Sequence, residues 1–222
     1  MLGTKREGRG TLTAVAAALA IAIALGSGAT AQAQAPPAAH KAAGAKKPAM
    51  QPAPAEPEGY WTGEANAPVP ASIHGGKVIH VQQLTKLVLA ADGTIVLDVS
   101  SVPVKPDNLA TDAQWLPPLH RGIPGARWIP GVGLGEVPTN VDSFFRTRLA
   151  TLTGNDFEKP IVIYCHEKCW LSWNAAKRAI GYGYHNVSWF PEGIEGWRAT
   201  GLATTELQPE STPHDTEAAP AA

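Results

Sequence analysis

Short apolar runs and helical periodicities alternate along the middle of the chain. Lys77-Val78-Ile79 is a candidate short strand, and residues 81–91 place Leu84, Leu87 and Val88 on one helical face. Asp92-Gly93 then signals a turn into residues 94–99, Thr-Ile-Val-Leu-Asp-Val, which read as a buried strand. A long proline-rich stretch leads to Ala126-Arg127-Trp128-Ile129, and residues 141–152 carry a helical pattern. Pro160-Ile161-Val162-Ile163-Tyr164 is the clearest strand, ending at Cys165. A helix over 172–181, a strand over 186–190 and a short helix over 196–201 complete the series. Strands alternating with helices predict an α/β sheet.

Composition sets the limits of this folded part. All fifteen aromatic residues lie between Tyr60 and Trp197. Residues 34–58 are mostly Ala, Pro, Lys and Gln and cannot bury enough apolar surface to offset their ordering entropy, so they read as a flexible linker. The stretch 204–222 reads the same way, as a disordered tail, which leaves residues 59–203 as one domain. At the N-terminus, Lys5, Arg6 and Arg9 precede an apolar run over 12–25 and the small-residue sites Ala31-Gln32-Ala33 and Ala33-Gln34-Ala35. This is the layout of a secretory signal peptide over 1–33, and the apolar run is shorter than a spanning helix needs. The expected product is a periplasmic protein with no membrane span after cleavage. Its removal takes three cations and one anion from a chain of formal charge −1. No basic stripe remains for a nucleic-acid partner.

The chemistry concentrates where the clearest strand ends. Cys165 enters the loop His166-Glu167-Lys168-Cys169-Trp170-Leu171 and then the helix whose expected N-cap is Ser172. A thiol there meets the carboxyl edge of a parallel sheet and a helix N-terminus, which predicts a thiol pKa below the unperturbed ~8.5 and faster alkylation at Cys165 than at Cys169. Cys169 is open to two readings: a second, redox-active thiol, or a small apolar filler beneath the loop. The spacing of Cys165, His166 and Cys169 fits no common zinc or haem pattern, so no metal and no cofactor is expected.

Several segments together resemble the rhodanese-like family, and the match runs in order over residues 76–203. They are Asp98 at its strand end, His120-Arg121-Gly122-Ile123-Pro124-Gly125-Ala126, the strand into Cys165, and Gly183-Tyr184-His185-Asn186-Val187. Glu192-Gly193-Ile194-Glu195-Gly196-Trp197 and Gly201-Leu202 follow. The run Cys165-His166-Glu167-Lys168-Cys169-Trp170 also resembles a periplasmic subgroup that is associated with catabolism dependent on pyrroloquinoline quinone (PQQ) and is named for a two-cysteine-plus-tryptophan motif.

The resemblance implies a single doubly wound domain with a mainly parallel five-stranded sheet and helices on both faces. It implies that Cys165 accepts a sulfane sulfur as a persulfide, helped by Cys169. The loop residues His166, Glu167, Lys168, Trp170, Leu171 and Ser172 would form the substrate site, with Asp98 and Arg121 in support. A small sulfur donor, a thiol acceptor and a periplasmic PQQ-dependent dehydrogenase system are the expected partners. The alternatives of another class are a thiol–disulfide redox protein and a non-catalytic accessory module.

This loop departs from the family pattern. Lys168 and Trp170 stand where single-domain members usually have Gly and Arg, and Ser100 stands where many have Arg, which argues against thiosulfate as donor. The phosphatase-like branch needs an arginine at the loop end, where this chain has Leu171 or Ser172.

Overall fold

The computed structural model describes residues 52–211. The signal-peptide reading, most of the linker and the end of the tail lie outside the described residues. The strands are β1 (Lys77–Val78), β2 (Ile95–Asp98), β3 (Arg121–Gly122), β4 (Arg127–Trp128), β5 (Ile161–Tyr164), β6 (Val187–Phe190) and β7 (Thr205–Glu206). The helices are α1 (Val81–Ala90), α2 (Thr139–Thr153), α3 (Trp170–Gly181) and α4 (Gly193–Ala199). Five strands form one sheet in the order β1-β6-β5-β2-β4, every neighbouring pair parallel.

The alternation of side chains along the strands divides the core in two. Leu97, Ile161, Ile163, Val187 and Trp189 pack with Val141, Phe145 and Leu149 of α2 and with Trp173, Ala176 and Ala179 of α3. On the other face Val96, Val162, Tyr164 and Phe190 pack with Leu84 of α1 and with Ile194 and Trp197 of α4. Both faces of β5 and β6 are therefore covered, which is why β5 reads as an unbroken apolar run. The expected doubly wound architecture is what forms.

Four boundaries differ from the sequence reading. α3 begins at Trp170 with Cys169 as its N-cap residue, so Ser172 lies inside the first turn and caps nothing. α4 begins at Gly193 rather than 196, because Ile194 N–H donates to the Cys165 carbonyl at 2.9 Å and holds a glycine-rich start in place. The third is the tail. It does not leave the domain after residue 203: β7 pairs antiparallel with β3, Leu207 is buried, and Glu210 accepts two hydrogen bonds from Arg148 at 2.6 and 2.7 Å. At the other end Glu56 accepts hydrogen bonds from Ser72 Oγ and from His74 N–H at 2.8 Å, so the expected linker is docked from at least that residue.

Ahead of β1, residues 61–69 run as a strap over the start of α3. Ala67 N–H donates to the Lys168 carbonyl at 3.1 Å and Trp170 N–H donates to the Ala65 carbonyl at 2.8 Å, with Asn66 bridged antiparallel to Cys169. The Trp61 ring stacks on Trp170 with centroids 4.5 Å apart and planes within 13°. Asn174, buried on α3, pairs with both backbone groups of Trp61: its Oδ1 accepts from the Trp61 N–H and its Nδ2 donates to the carbonyl, each at 2.9 Å. Its second amide proton reaches the Gly133 carbonyl at 3.0 Å.

Candidate functional site: two thiols beneath a strap

β5 delivers Cys165 to the carboxyl edge of the sheet, and the chain turns over 166–168 into α3. The turn requires a left-handed residue, and Lys168 supplies it with φ 57°. This is the position where the family pattern places glycine, so the backbone shape survives without the residue that adopts it freely. Lys168→Gly is expected to stabilise the protein by about 0.5–1 kcal/mol, read by chemical denaturation. A loss of stability would show that the lysine side chain outweighs the backbone strain.

Both cysteines are free and buried. Cys165 is wholly enclosed, with Sγ 3.1 Å from Ser172 Oγ and 3.4 Å from the Cys169 carbonyl. Ser172 is itself fixed, because the Trp189 Nε1–H donates to its oxygen at 3.0 Å. Burial pushes the Cys165 thiol well above its ordinary pKa, its contact with the Cys169 sulfur adds to this, and the Ser172 hydroxyl and amide oppose it. The sequence reading expected a lowered Cys165. It credited Cys165 with the helix N-terminus and the loop amides, whereas the strand end is dry and the amides of His166 and Leu171 act on Cys169 at the N-cap.

Cys169 has the opposite environment. The hydrogen bond from Cys165 is the largest influence and lowers its pKa; burial works against this, and the amides of Leu171 and His166 and the His166 ring lower it further, to about 6. The two thiols thus titrate as a pair, with the negative charge favoured on Cys169.

The remaining loop residues divide between core and surface. Trp170 and Leu171 are buried, and Trp170 Nε1 donates to the Pro68 carbonyl at 3.1 Å, so this indole lies under the strap. His166, Glu167 and Lys168 are exposed; Lys168 and Glu167 pair at 3.6 Å, a surface contact of little energetic weight. The sequence reading missed the clamp on this turn. Glu195 of α4 faces His166 Nδ1 with Oε1 at 2.9 Å and accepts the Glu167 N–H on Oε2 at 2.9 Å. Partial burial raises the Glu195 carboxyl, and these two hydrogen bonds outweigh it, so the group stays below its usual range.

Gly193 lies against the same turn with φ +57°, and a Cβ there would stand 2.4 Å from the His166 carbonyl carbon and 2.7 Å from the Cys165 oxygen. Gly133 is similarly confined on the far side, where a Cβ would meet the Leu171 carbonyl at 2.3 Å. An amide-bearing side chain within an otherwise apolar helix face was the one visible sign of Asn174.

Asp98 and Arg121 do not reach the thiols. Asp98 is buried at the end of β2, where Oδ1 accepts the Ser100 N–H at 2.9 Å and Oδ2 sits 2.8 Å from His120 Nε2. The His120 ring stacks on Trp128 at 3.9 Å. Arg121 donates to Thr204, through Nε to Oγ1 at 3.1 Å and through an Nη to the carbonyl at 2.7 Å, and so ties β3 to the chain entering β7.

With this geometry in place, the family model described as "Rhodanese-like domain" matches residues 82–200. The chain belongs to the rhodanese-like domain family. Among curated proteins none matches.

The solved structures that resemble this rhodanese-like domain include a 3-mercaptopyruvate sulfotransferase, SseA from Escherichia coli, at 15% identity and TM-score 0.42, covering 61% of this chain and 53% of that one. The polysulfide-sulfur transferase of Wolinella succinogenes is 19% identical at TM-score 0.37, over 63% of this chain and 83% of that one. Thiosulfate sulfurtransferase from Pseudomonas aeruginosa is 17% identical at TM-score 0.40, over 64% of this chain and 23% of that one. Among the described residues no three His, Cys, Asp or Glu side chains are grouped to hold a metal, and no helix is long and apolar enough to cross a membrane.

Proposed function

We propose that the protein is a sulfurtransferase-type, persulfide-handling enzyme working through the Cys165–Cys169 pair. The observation that carries this reading is the pair itself: two free, buried thiols in one turn, with the Cys165 Sγ 3.4 Å from the Cys169 carbonyl, at the carboxyl edge of a rhodanese-like sheet. One thiolate accepts a sulfane sulfur from a small donor, and the neighbouring thiol lets the sulfur be passed on or released. Membership of the family supports the reading, and the names of the similar structures agree with it. The loop has no arginine, so a polysulfide or organic persulfide suits it better than thiosulfate. The presence of two free thiols in one turn also favours a second reading, thiol–disulfide exchange without sulfane transfer, since a dithiol closes to a disulfide on losing two electrons.

The finer expectations rest on the sequence. The charged start, apolar run and Ala-x-Ala sites support export to the periplasm. The likeness of Cys169-Trp170 to the two-cysteine-plus-tryptophan motif supports service to a PQQ-dependent dehydrogenase system; here three residues separate the cysteines. Growth on PQQ-dependent substrates that is unchanged by deletion of the protein would remove that role.

Intact mass spectrometry tests the central reading. Protein recovered from the periplasm should begin near Gln34 and gain about 32 Da, one sulfur atom, on exposure to polysulfide, with no gain in a Cys165→Ser/Cys169→Ser double variant. Absence of uptake by the native protein, together with reversible loss of two hydrogens under mild oxidant, would replace sulfur transfer with disulfide exchange.

A further inference from the structure

Among the described residues, Trp61, Trp128, Trp170, Trp173 and Trp197 each donate an indole N–H to a main-chain carbonyl. Trp189, buried on β6, differs: it donates to a side chain, the Ser172 hydroxyl, at 3.0 Å, and that hydroxyl touches the Cys165 sulfur. We propose that Trp189 is a positioning residue for the Cys165 nucleophile: its indole N–H pins the Ser172 oxygen, so that the Ser172 hydroxyl turns its proton from the Cys169 carbonyl to the Cys165 sulfur when that thiol ionises. This rests on the sulfurtransferase-type reading above and names the groups that hold its nucleophile.

A serine hydroxyl has one proton to give and two lone pairs to fill. At Ser172 all three are in use. The Cys165 thiol, at 3.1 Å, and the Trp189 N–H fill the lone pairs, and the proton goes to the Cys169 carbonyl at 3.2 Å. The other partners of the Cys165 sulfur are the Cys169 and His166 carbonyls, at 3.4 and 3.8 Å, and a carbonyl cannot donate. Ser172 is therefore the one side chain bonded to this sulfur that can reverse its bond and give a proton to it. It sits inside the first turn of α3, 1% exposed, where serine is a poor helix former and caps nothing. The three bonds of its hydroxyl account for its place there.

The ionisable groups around Cys165 are few. The turn itself contributes Cys169, with His166, Glu167 and Lys168 on its exposed rim. From α4, Glu195 holds His166, and at the end of β2 Asp98 bonds Ser100 and His120 beside the Tyr164 phenol. Farther along α3, Arg178 donates to the Val132 and Gly135 carbonyls. β6 presents Val187, Ser188, Trp189 and Phe190, none of them charged. Burial and Cys169 work against a charge on Cys165, and the Ser172 hydroxyl and amide work for it.

When Cys165 loses its proton to water, its sulfur has nothing left to donate and needs donors. The Ser172 O–H leaves the Cys169 carbonyl and turns to the sulfur across the same 3.1 Å, while the Trp189 bond keeps the oxygen in place, so that only a proton moves. An N–H donor on the oxygen also polarises the O–H and strengthens its bond to the anion. The thiolate then attacks the terminal sulfur of a persulfide R–S–SH, whose S–S bond breaks as Cys165–S–SH forms, and R–S⁻ leaves and takes a proton from water. The sulfane sulfur passes over without net oxidation or reduction.

Iodoacetamide labelling of Cys165, followed by peptide mass, tests the relay, because below the midpoint of a thiol its rate tracks the thiolate fraction. At pH 7 Ser172→Ala should label roughly tenfold more slowly than native protein, and Trp189→Phe, which keeps a ring but not the N–H, roughly threefold more slowly. Both deficits should shrink in alkaline solution, where native and variant thiols are ionised alike. A core merely loosened by either change would expose Cys165 and speed its labelling at every pH. Ser172→Thr, which keeps the hydroxyl, should stay within about twofold of native. Adding Trp189→Phe to Ser172→Ala should slow labelling no further, because the indole acts through the hydroxyl. Native or faster labelling in Trp189→Phe or in Ser172→Ala overturns the proposal, and so does a full threefold further loss in the double variant. Sulfur uptake from polysulfide by the same variants should fall in the same ratios. Absence of uptake by native protein removes the sulfurtransferase reading, and the labelling rates alone then uphold or overturn the relay.

Discussion

Gly193→Ala should lose on the order of 100-fold in the rate of sulfur uptake while the sheet still forms. The residue has φ +57°, which alanine adopts only with strain, and a Cβ would stand 2.4 Å from the backbone of His166 and 2.7 Å from the Cys165 oxygen and the Glu167 nitrogen. None of these atoms is the end of a flexible side chain. The turn carrying both thiols must therefore shift, and with it the hydrogen bond from Ile194 to the Cys165 carbonyl and the Glu195 clamp on His166 and Glu167. Stability should fall by about 1–3 kcal/mol, the usual range for overpacking. Uptake at the native rate by a folded Gly193→Ala protein would show that the turn is not held in register by α4.

The second large effect concerns stability rather than chemistry. Asp98→Ala is expected to cost roughly 3–5 kcal/mol in chemical denaturation, because it leaves buried partners without their acceptor. The Ser100 amide and His120 Nε2 bond to its carboxylate, and the Tyr164 phenol faces it. That phenol is pushed well above its ordinary pKa, first by burial and then by the charge of Asp98, while its oxygen accepts the Ile123 N–H at 3.0 Å. Asp98 thereby joins the ends of β2 and β5 to the segment entering β3. It does not touch the thiols, so the folded fraction should keep the native rate of sulfur uptake. A loss under about 1 kcal/mol would mean that water replaces the carboxylate at little cost.

The contrast between these residues shows what the sequence made legible. Ile161-Val162-Ile163-Tyr164 announces a strand covered on both faces, and the structure uses each of its side chains for one of the two core halves. Cys165 at its end, the loop after it and the helix beyond were readable for the same reason. The start of that helix was not. Ser172 has the side chain of an N-cap, but the chain turns earlier because Lys168 accepts a left-handed conformation and the strap bonds to the backbone around Cys169. That register shift moves the helix N-terminus from Ser172 to Cys169 and reverses the expected ionisation of the two thiols. The strap itself, Glu64-Ala65-Asn66-Ala67, has no hydrophobic periodicity; it is held by main-chain hydrogen bonds and by one stacked indole, which composition does not register. The same holds for the chain after residue 203, where two backbone-paired residues, one leucine and one glutamate dock an otherwise polar segment.

The strap lies outside the part of the chain that the family model matches. The family match begins at residue 82, and the sheet begins at Lys77, both downstream of Trp61 and Asn66. A fragment cut at either point would retain the four long elements around the thiols, α2, β5, α3 and β6, and would lose the indole resting on Trp170 and the main-chain bonds beside Cys169. Such a fragment would be a rhodanese-like domain with an open mouth, and thiol reactivity measured on it would describe the uncovered turn rather than the whole protein. The cover over its thiols is written in a segment that lies outside the conventional edge of the domain.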